Sequence, residues 1–121
     1  MALTCFIVDD EMHGIHLIQD YLIENRSLKI LGTSTDPRKA LELIKQLEPD
    51  IVFTDINMPF MSGIELASFI DNLSVVVFIS ADRAYSHPEI DLKKNIYLTK
   101  PLRKQRLMDA IQEIQTRLKS N

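Results

Sequence analysis

The stretch Phe6-Ile7-Val8-Asp9-Asp10-Glu11 runs from three apolar residues directly into three acidic ones. The apolar run begins at Leu3 and is rich in residues that favour extended structure, so it predicts a buried β-strand over residues 3–8. Carboxylates crowded at the end of a buried strand repel one another, and a carboxylate in such surroundings is hard to keep ionised. This concentration of negative charge therefore needs compensation.

Short apolar runs alternate with amphipathic helical patterns along the rest of the chain. Unbroken apolar strands are typical of a parallel sheet that is covered on both faces. The pattern predicts an α/β fold, a doubly wound five-stranded parallel sheet with about five helices, formed by one domain over residues 1–121. The predicted strands cover residues 3–8, 28–35, 51–53, 75–79 and 96–98, and the clearest helices cover 13–25, 36–48, 63–73 and a last segment with apolar residues at 107, 111, 114 and 118.

The segment between the fourth and fifth strands is poorly specified. Residues 82–95 should hold the fourth helix, yet they contain Ser86-His87-Pro88 and few apolar residues at helical spacing. Proline inside a helix removes a backbone hydrogen bond and clashes with the preceding turn. We expect either a short helix that begins near Pro88 or an irregular loop.

Composition narrows the classes of function. The chain carries a formal net charge of −3, which argues against nucleic-acid binding by this domain, because phosphate backbones favour basic surfaces. The single cysteine, Cys5, lies in the first apolar run and is read as a buried, inert thiol in a reducing compartment. No run is long enough to cross a bilayer and no secretory leader is visible, so we expect a cytoplasmic protein that makes no membrane contact.

Polar side chains follow four of the predicted strands. In open parallel sheets, ligands bind beyond the carboxyl ends of the strands, where the winding direction reverses. That rule brings together Asp9 and Asp10, Asp55, Ser80 and Lys100. An Asp-Asp pair alone is more often a solvated loop or a helix cap. Three carboxylates without histidine or cysteine ligands suit a hard cation such as Mg²⁺.

These residues occur in motifs that resemble the receiver domain of two-component response regulators. The motifs are Val8-Asp9-Asp10-Glu11, Asp55-Ile56-Asn57-Met58-Pro59 with Gly63, Ser80-Ala81, and Tyr97-Leu98-Thr99-Lys100-Pro101. Their order and the segments between them extend the resemblance over essentially all 121 residues. The resemblance implies the flavodoxin-like strand order 2-1-3-4-5, in which the first strand lies between the second and the third.

The resemblance also implies the chemistry of the site. Asp55 is the expected phosphoacceptor, and Lys100 is expected to pair with it and later with the phosphoryl group. Asp10 and Asp55 are expected to bind Mg²⁺ together with the backbone carbonyl of Asn57, whereas Asp9 acts mainly through water.

A switch is implied as well. The Ser80 hydroxyl is expected to bond to the phosphoryl group, and its movement opens space into which the Tyr97 ring turns. A cis peptide bond is expected before Pro101.

The expected partners are a sensor histidine kinase and an output domain or downstream protein, and a phosphorylation-dependent homodimer is left open. Tyr85 and the motif from Tyr97 to Pro101 faintly resemble receivers that precede LytTR-type DNA-binding domains.

Two other functions remain as alternatives. A Mg²⁺-dependent phosphohydrolase with an aspartate nucleophile commonly needs a second acid two residues later, and that position is Asn57. A pseudo-receiver would bind partners without phosphate, although all five site positions are intact. His13 and His16, which lie one helical turn apart, are read as a solvated pair rather than zinc ligands, and an approach of His13 to the acidic pocket is left open.

Overall fold

The computed structural model describes residues 2–119. Five strands form one parallel sheet in the order β2-β1-β3-β4-β5, which confirms the predicted fold class and strand order. Along the chain the elements are β1 Leu3–Val8, α1 Met12–Leu22, β2 Leu28–Ser34, α2 Pro37–Leu47, β3 Ile51–Thr54, α3 Gly63–Phe69, β4 Val75–Ser80, β5 Ile96–Thr99 and α4 Lys104–Lys119.

Two apolar layers cover the sheet because successive side chains of each strand point to opposite faces. Cys5 and Ile7 of β1 pack into the layer under α1 and α4, whereas Phe6 and Val8 pack into the layer under α2 and α3. This explains why the strands read as unbroken apolar runs. The thiol of Cys5 is buried as expected, and burial raises its pKa to about 12.

The helix boundaries follow local chemistry. Asp36 caps α2 by accepting a hydrogen bond from the Arg38 N–H (2.9 Å), and Pro37 occupies the first turn, as predicted. The helix ends at Glu48, which takes a left-handed conformation with φ of 48°. Ser62 and Glu65 form a reciprocal capping box at the start of α3.

Four α-helices, rather than about five, lie within residues 2–119. Between β4 and β5 the chain forms only a 3₁₀ turn, Ala84–Ser86, so the predicted irregular loop is present and the alternative helix near Pro88 is absent. Asp91 makes a turn instead, accepting from the Lys93 N–H through its side chain. Asn95 then uses its side-chain oxygen to accept from the Val76 N–H (3.0 Å). Short backbone turns and side-chain bonds together take the place of a helical ladder here.

The apolar stripe of α4 is buried unevenly, and this yields a stability prediction. Ile111 is 1% exposed, whereas Leu118, placed on the same stripe by the sequence, is 37% exposed. Ile111→Ala should lower the free energy of unfolding by about 2–5 kcal/mol, because it leaves a cavity in the core. Leu118→Ala, the control on the same helix, should cost less than half as much. Urea unfolding measures both, and equal losses would contradict this packing.

Candidate functional site

The carboxyl ends of four neighbouring strands meet at one edge of the sheet. Asp9 follows β1, Asp55 follows β3, Ser80 ends β4 and Lys100 follows β5. Backbone bonds continue the register just beyond the strands: the Asp55 N–H donates to the Val8 carbonyl (3.2 Å), and the Lys100 N–H donates to the Ser80 carbonyl (2.8 Å). The structure therefore brings together the side chains that the sequence placed at this edge.

Three carboxylates converge there. Asp9, Asp10 and Asp55 each offer one oxygen, and these oxygens all lie within 4.8 Å of one another. Asp9 is 4% exposed and Asp55 is 8% exposed, so two of the three are removed from solvent. Burial raises the pKa of Asp9, and the charges of Asp55 and Asp10 add to that rise, while the Glu11 N–H (2.9 Å) and Lys100 oppose it.

Lys100 supplies part of the compensation. Its Nζ lies 3.0 Å from Oδ2 of Asp55, while Oδ1 of Asp55 accepts from the Ile56 N–H at 2.7 Å. Burial lowers the pKa of Lys100, but the bond to Asp55 and the charges of Asp55, Asp9 and Glu11 outweigh it, so its pKa is raised. One ammonium group against three carboxylates leaves an excess of negative charge.

The donor set fits a hard divalent cation. The clustered ligand atoms are carboxylate oxygens, which Mg²⁺ prefers, and a partly hydrated ion needs only one or two of them directly. Asn57 lies in the loop after β3, and its side-chain amide donates to Asp82 (3.2 Å), which is not one of the three clustered carboxylates. The expected role of its backbone carbonyl as a ligand stays a prediction.

The loop after β3 is packed tightly against the strand end. The Gly63 N–H donates to the Ile56 carbonyl (2.8 Å), and a Cβ at Gly63 would lie 2.0 Å from the backbone oxygen of Asp55. Only glycine allows α3 to begin so close to the strand end. Phe60, which has a φ of 72°, projects into solvent with the Arg38 guanidinium 3.8 Å from its ring centroid. Neither this stacking nor the left-handed backbone was predicted.

The two expected switch residues share one neighbour. The buried Ser80 hydroxyl accepts from the Asp82 N–H (3.1 Å), and the Tyr97 hydroxyl donates to the Asp82 carbonyl (2.6 Å). The Tyr97 ring is half-buried and packs on the apolar layer under α2 and α3. The Lys100–Pro101 peptide bond is cis.

The histidines are placed differently from one another. His13 is exposed at the rim, with Nε2 3.7 Å from a Glu11 carboxylate oxygen, and His16 is exposed on α1. His87, which in the sequence stands out only as part of a helix-disrupting tripeptide, has Nε2 3.0 Å from Oδ2 of Asp82. His87 and Asp82 are five residues apart in an irregular segment, and that spacing matches no motif. The sequence therefore did not predict their contact.

Comparison with known proteins gives consistent matches. The model of the response regulator receiver domain matches residues 5–112. An uncharacterized response regulatory protein of Vibrio cholerae serotype O1 is 33% identical over 114 residues, covering 93% of this chain and 48% of that protein. The chain spans about half the length of the curated relatives it matches.

Among residues 2–119, no helix has the length and apolar character that a membrane span requires.

Solved structures share the fold. The response regulatory domain of protein mrkE from Klebsiella pneumoniae superposes with a TM-score of 0.86 at 24% identity, covering 98% of this chain and 100% of that one. CheY in a CheX–CheY–BeF₃–Mg²⁺ complex from Borrelia burgdorferi superposes with a TM-score of 0.82 at 25% identity, covering 93% of this chain and 88% of that one.

The close approach of α3 predicts a strong effect at Gly63. Gly63→Ala should lower the free energy of unfolding by about 1–3 kcal/mol, because the new methyl group meets backbone atoms that cannot move aside. Ser62→Ala, one residue earlier, should cost about 1 kcal/mol through its lost cap. Thermal or urea unfolding measures both variants. A Gly63→Ala protein as stable as the wild type would show that α3 is free to shift.

The raised pKa of Asp9 predicts that this carboxylate reduces stability when no divalent cation is present. Asp9→Asn should raise the free energy of unfolding at neutral pH, because it removes a buried charge beside two others. As the pH falls through the raised pKa, the wild-type carboxyl is protonated and the advantage of the variant disappears.

Urea unfolding in the presence of a chelator, at neutral pH and at about pH 4, measures the difference in stability between Asp9→Asn and the wild type. Asp20→Asn removes an exposed acid of α1 and serves as the control. Excess Mg²⁺ should stabilise the wild type more than Asp9→Asn, since binding to the folded state adds to its stability. An Asp9→Asn protein less stable than the wild type at neutral pH without metal is the contrary result.

Proposed function

The chain belongs to the response regulator receiver domain family, which acts in two-component signalling, and we propose that it receives a phosphoryl group on Asp55 from a sensor histidine kinase. The observation that carries the proposal is the setting of the Asp55 carboxylate. One oxygen is held by the Ile56 N–H and the other by Lys100, within a cluster that includes Asp9 and Asp10. Backbone and side-chain donors thus hold both oxygens of this carboxylate at the end of β3.

The proposed transfer is a displacement at phosphorus. An oxygen of Asp55 attacks the phosphoryl group of a phosphohistidine, the P–N bond breaks as the P–O bond forms, and the imidazole leaves. Lys100 stays beside the new acyl phosphate and offsets its charge. Burial of Asp55 excludes bulk water and keeps the carboxylate in one orientation.

Mg²⁺ is the proposed cofactor. Asp10, Asp55 and the backbone carbonyl of Asn57 would hold it directly, and Asp9 would act through water. When bound, the ion neutralises negative charge on the phosphoryl oxygens. The related CheY structure that contains BeF₃ and Mg²⁺ supports this proposal by similarity.

Ser80 and Tyr97 are the proposed switch. The Ser80 oxygen accepts a hydrogen bond from the Asp82 N–H, so its own proton can be donated to a phosphoryl oxygen. Because Tyr97 is bonded to the carbonyl of the same Asp82, a movement of Ser80 reaches the Tyr97 ring through one residue. Phosphorylation would thereby shift the balance between two arrangements of the surface around β5.

The setting of the domain completes the proposal. We place the receiver unit at residues 1–121; the packing of α4 on the sheet through Ile114, beyond the matched 5–112, supports an extent greater than that match. The chain spans about half the length of its relatives. We therefore propose that its phosphorylation acts on an output domain or a downstream protein. The domain acts in the cytoplasm without touching nucleic acid itself and without turning over an external substrate. Whether phosphorylation also pairs two copies is left open, and a size measurement of the phosphorylated protein decides it.

Phosphorylation tests the proposal directly. The protein is incubated with acetyl phosphate and Mg²⁺, and its intact mass is measured. We expect one added phosphoryl group on the wild type and none on Asp55→Asn or after chelation of the metal. Asp50→Asn is the matched control, because Asp50 precedes the same strand at its opposite end and accepts from the Thr4 N–H.

The contrary outcomes separate the alternatives. Labelling of Asp55→Asn would place the phosphoryl group elsewhere. Absence of any adduct on the wild type, together with unchanged partner binding, would favour a pseudo-receiver. Repeated turnover of a generic phosphate ester would favour a phosphohydrolase, which Asn57 at the position of the second acid argues against.

A further inference from the structure

Gly14 lies in the first turn of α1, although helix propensity disfavours glycine there. Alanine at this position would favour the helix if nothing else opposed it. The backbone does not require glycine either, because no glycine among residues 2–119 has a positive φ. The explanation for Gly14 therefore lies in the space around it.

The side chain of Asp9 fills that space. A Cβ at Gly14 would lie 2.7 Å from Cγ of Asp9 and closer still to its Oδ2. Apart from α1 itself, the three nearest atoms that this Cβ would meet all belong to the Asp9 carboxyl group, and non-bonded carbon atoms do not approach so closely. The carboxylate thus occupies the place of the side chain that Gly14 lacks.

The Asp9 carboxylate is held in this position from two sides. Its Oδ1 accepts a hydrogen bond from the Glu11 N–H at 2.9 Å, and its Oδ2 occupies the space at Gly14. Asp9 is 4% exposed, and one of its oxygens lies within 4.8 Å of oxygens of Asp10 and Asp55. Because like charges repel at this distance, the spacing of the three carboxylates depends on such constraints.

We propose that Gly14 is a positioning residue of the cation site, because the absence of a side chain there lets the Asp9 carboxylate join Asp10 and Asp55. This inference rests on the proposed binding of Mg²⁺, in which Asp9 acts through water. A methyl group at position 14 would turn the carboxylate away from the cluster. Water held by the ion would then lose an acceptor, and the site would bind Mg²⁺ less tightly.

The displaced carboxylate has space to enter. Asp9 and Gly14 border a cavity of about 330 Å³ between α1 and the segment 100–102. The methyl group can therefore push the carboxylate aside without unfolding α1. The expected result is a folded protein with a weaker cation site.

Titration of the unphosphorylated, ¹⁵N-labelled protein with MgCl₂, followed by NMR, tests this role. We expect Gly14→Ala to raise the Kd of Mg²⁺ about tenfold, the lower end of the effect of removing a group that supports a metal site from beyond the direct ligands. Gly32→Ala is the matched control, because its methyl group meets the Phe6 ring in the core instead of Asp9. It should lower stability and leave the Kd unchanged.

The position of the carboxylate can be followed in the same spectra before any metal is added. In the wild type the Glu11 N–H donates to Asp9, and Gly14→Ala should break or weaken that bond. Asp9→Ala removes the acceptor outright and gives the reference position of the Glu11 amide proton. We expect the Glu11 resonance of Gly14→Ala to move toward that position.

A double variant shows whether Gly14 acts through Asp9. In an Asp9→Ala protein, Gly14→Ala should cause no further change in the Kd of Mg²⁺, because the carboxylate that it would displace is absent. If Gly14→Ala alone does not fold, the double variant should fold, since the clash has been removed. A double variant that does not fold when Asp9→Ala does would overturn the inference.

The outcomes distinguish this inference from the proposed function. If the wild type binds no Mg²⁺, the proposed cofactor role fails and the inference fails with it. If the wild type binds Mg²⁺ but Gly14→Ala binds it equally well, or leaves the Glu11 amide proton in place, only the inference is overturned. An equal loss of affinity in Gly32→Ala would likewise overturn it, since general destabilisation would then explain the effect.

Discussion

The parallel register of the sheet forces carboxylates from separate parts of the chain to share one edge, and the rest of the site is organised around that charge. Asp9 and Asp55 are both nearly buried, and Asp10 joins them within 4.8 Å. A domain selected for stability alone would not concentrate acids there. Lys100 offsets part of the repulsion through its contact with Asp55, and the remainder favours binding of a divalent cation. The clustered carboxylates therefore lower the stability of the fold when no cation is bound, and they favour binding of one.

The connection between β4 and β5 is the proposed route from this edge to the surface. It has a 3₁₀ turn in place of a helix, and its conformation depends on side chains such as Asp82, Asp91 and Asn95. Asp82 bonds to both expected switch residues, to Ser80 through its N–H and to Tyr97 through its carbonyl. A segment held by short backbone turns and a few side-chain bonds can rearrange at lower cost than a packed helix, because fewer buried contacts are lost.

The sequence was sufficient for the features that depend on local pattern. The five strands, the start of α2 at Asp36-Pro37 and the strand-end positions of the acids follow from periodicity and from the geometry of parallel sheets. The sequence indicated a short or irregular fourth helix, since Pro88 and the lack of apolar periodicity argue against a regular one, but it left the choice between a short helix and a loop open. Leu118 continues the apolar stripe of α4, yet it is 37% exposed, and the spacing of the stripe does not reveal where its burial ends.

Other features depend on contacts between distant residues and leave no trace in local pattern. Arg38, in the first turn of α2, stacks on Phe60, which lies in the loop after β3. The contact of His87 with Asp82 arises from an irregular turn that no residue spacing encodes. The need for glycine at position 63 was visible as part of a motif, but its physical reason, contact with the Asp55 backbone, required coordinates.

A phosphoryl group at the acidic edge is expected, above all, to change the surface around β5 through Ser80 and Asp82. Amide ¹H–¹⁵N NMR spectra with and without beryllofluoride and Mg²⁺, where beryllofluoride stands in for the phosphoryl group, test this most directly. We predict shifted resonances for Asp82, Tyr97 and the segment between them as well as for the acidic edge, with little change in β2. Shifts confined to residues around Asp9, Asp10 and Asp55 would contradict it.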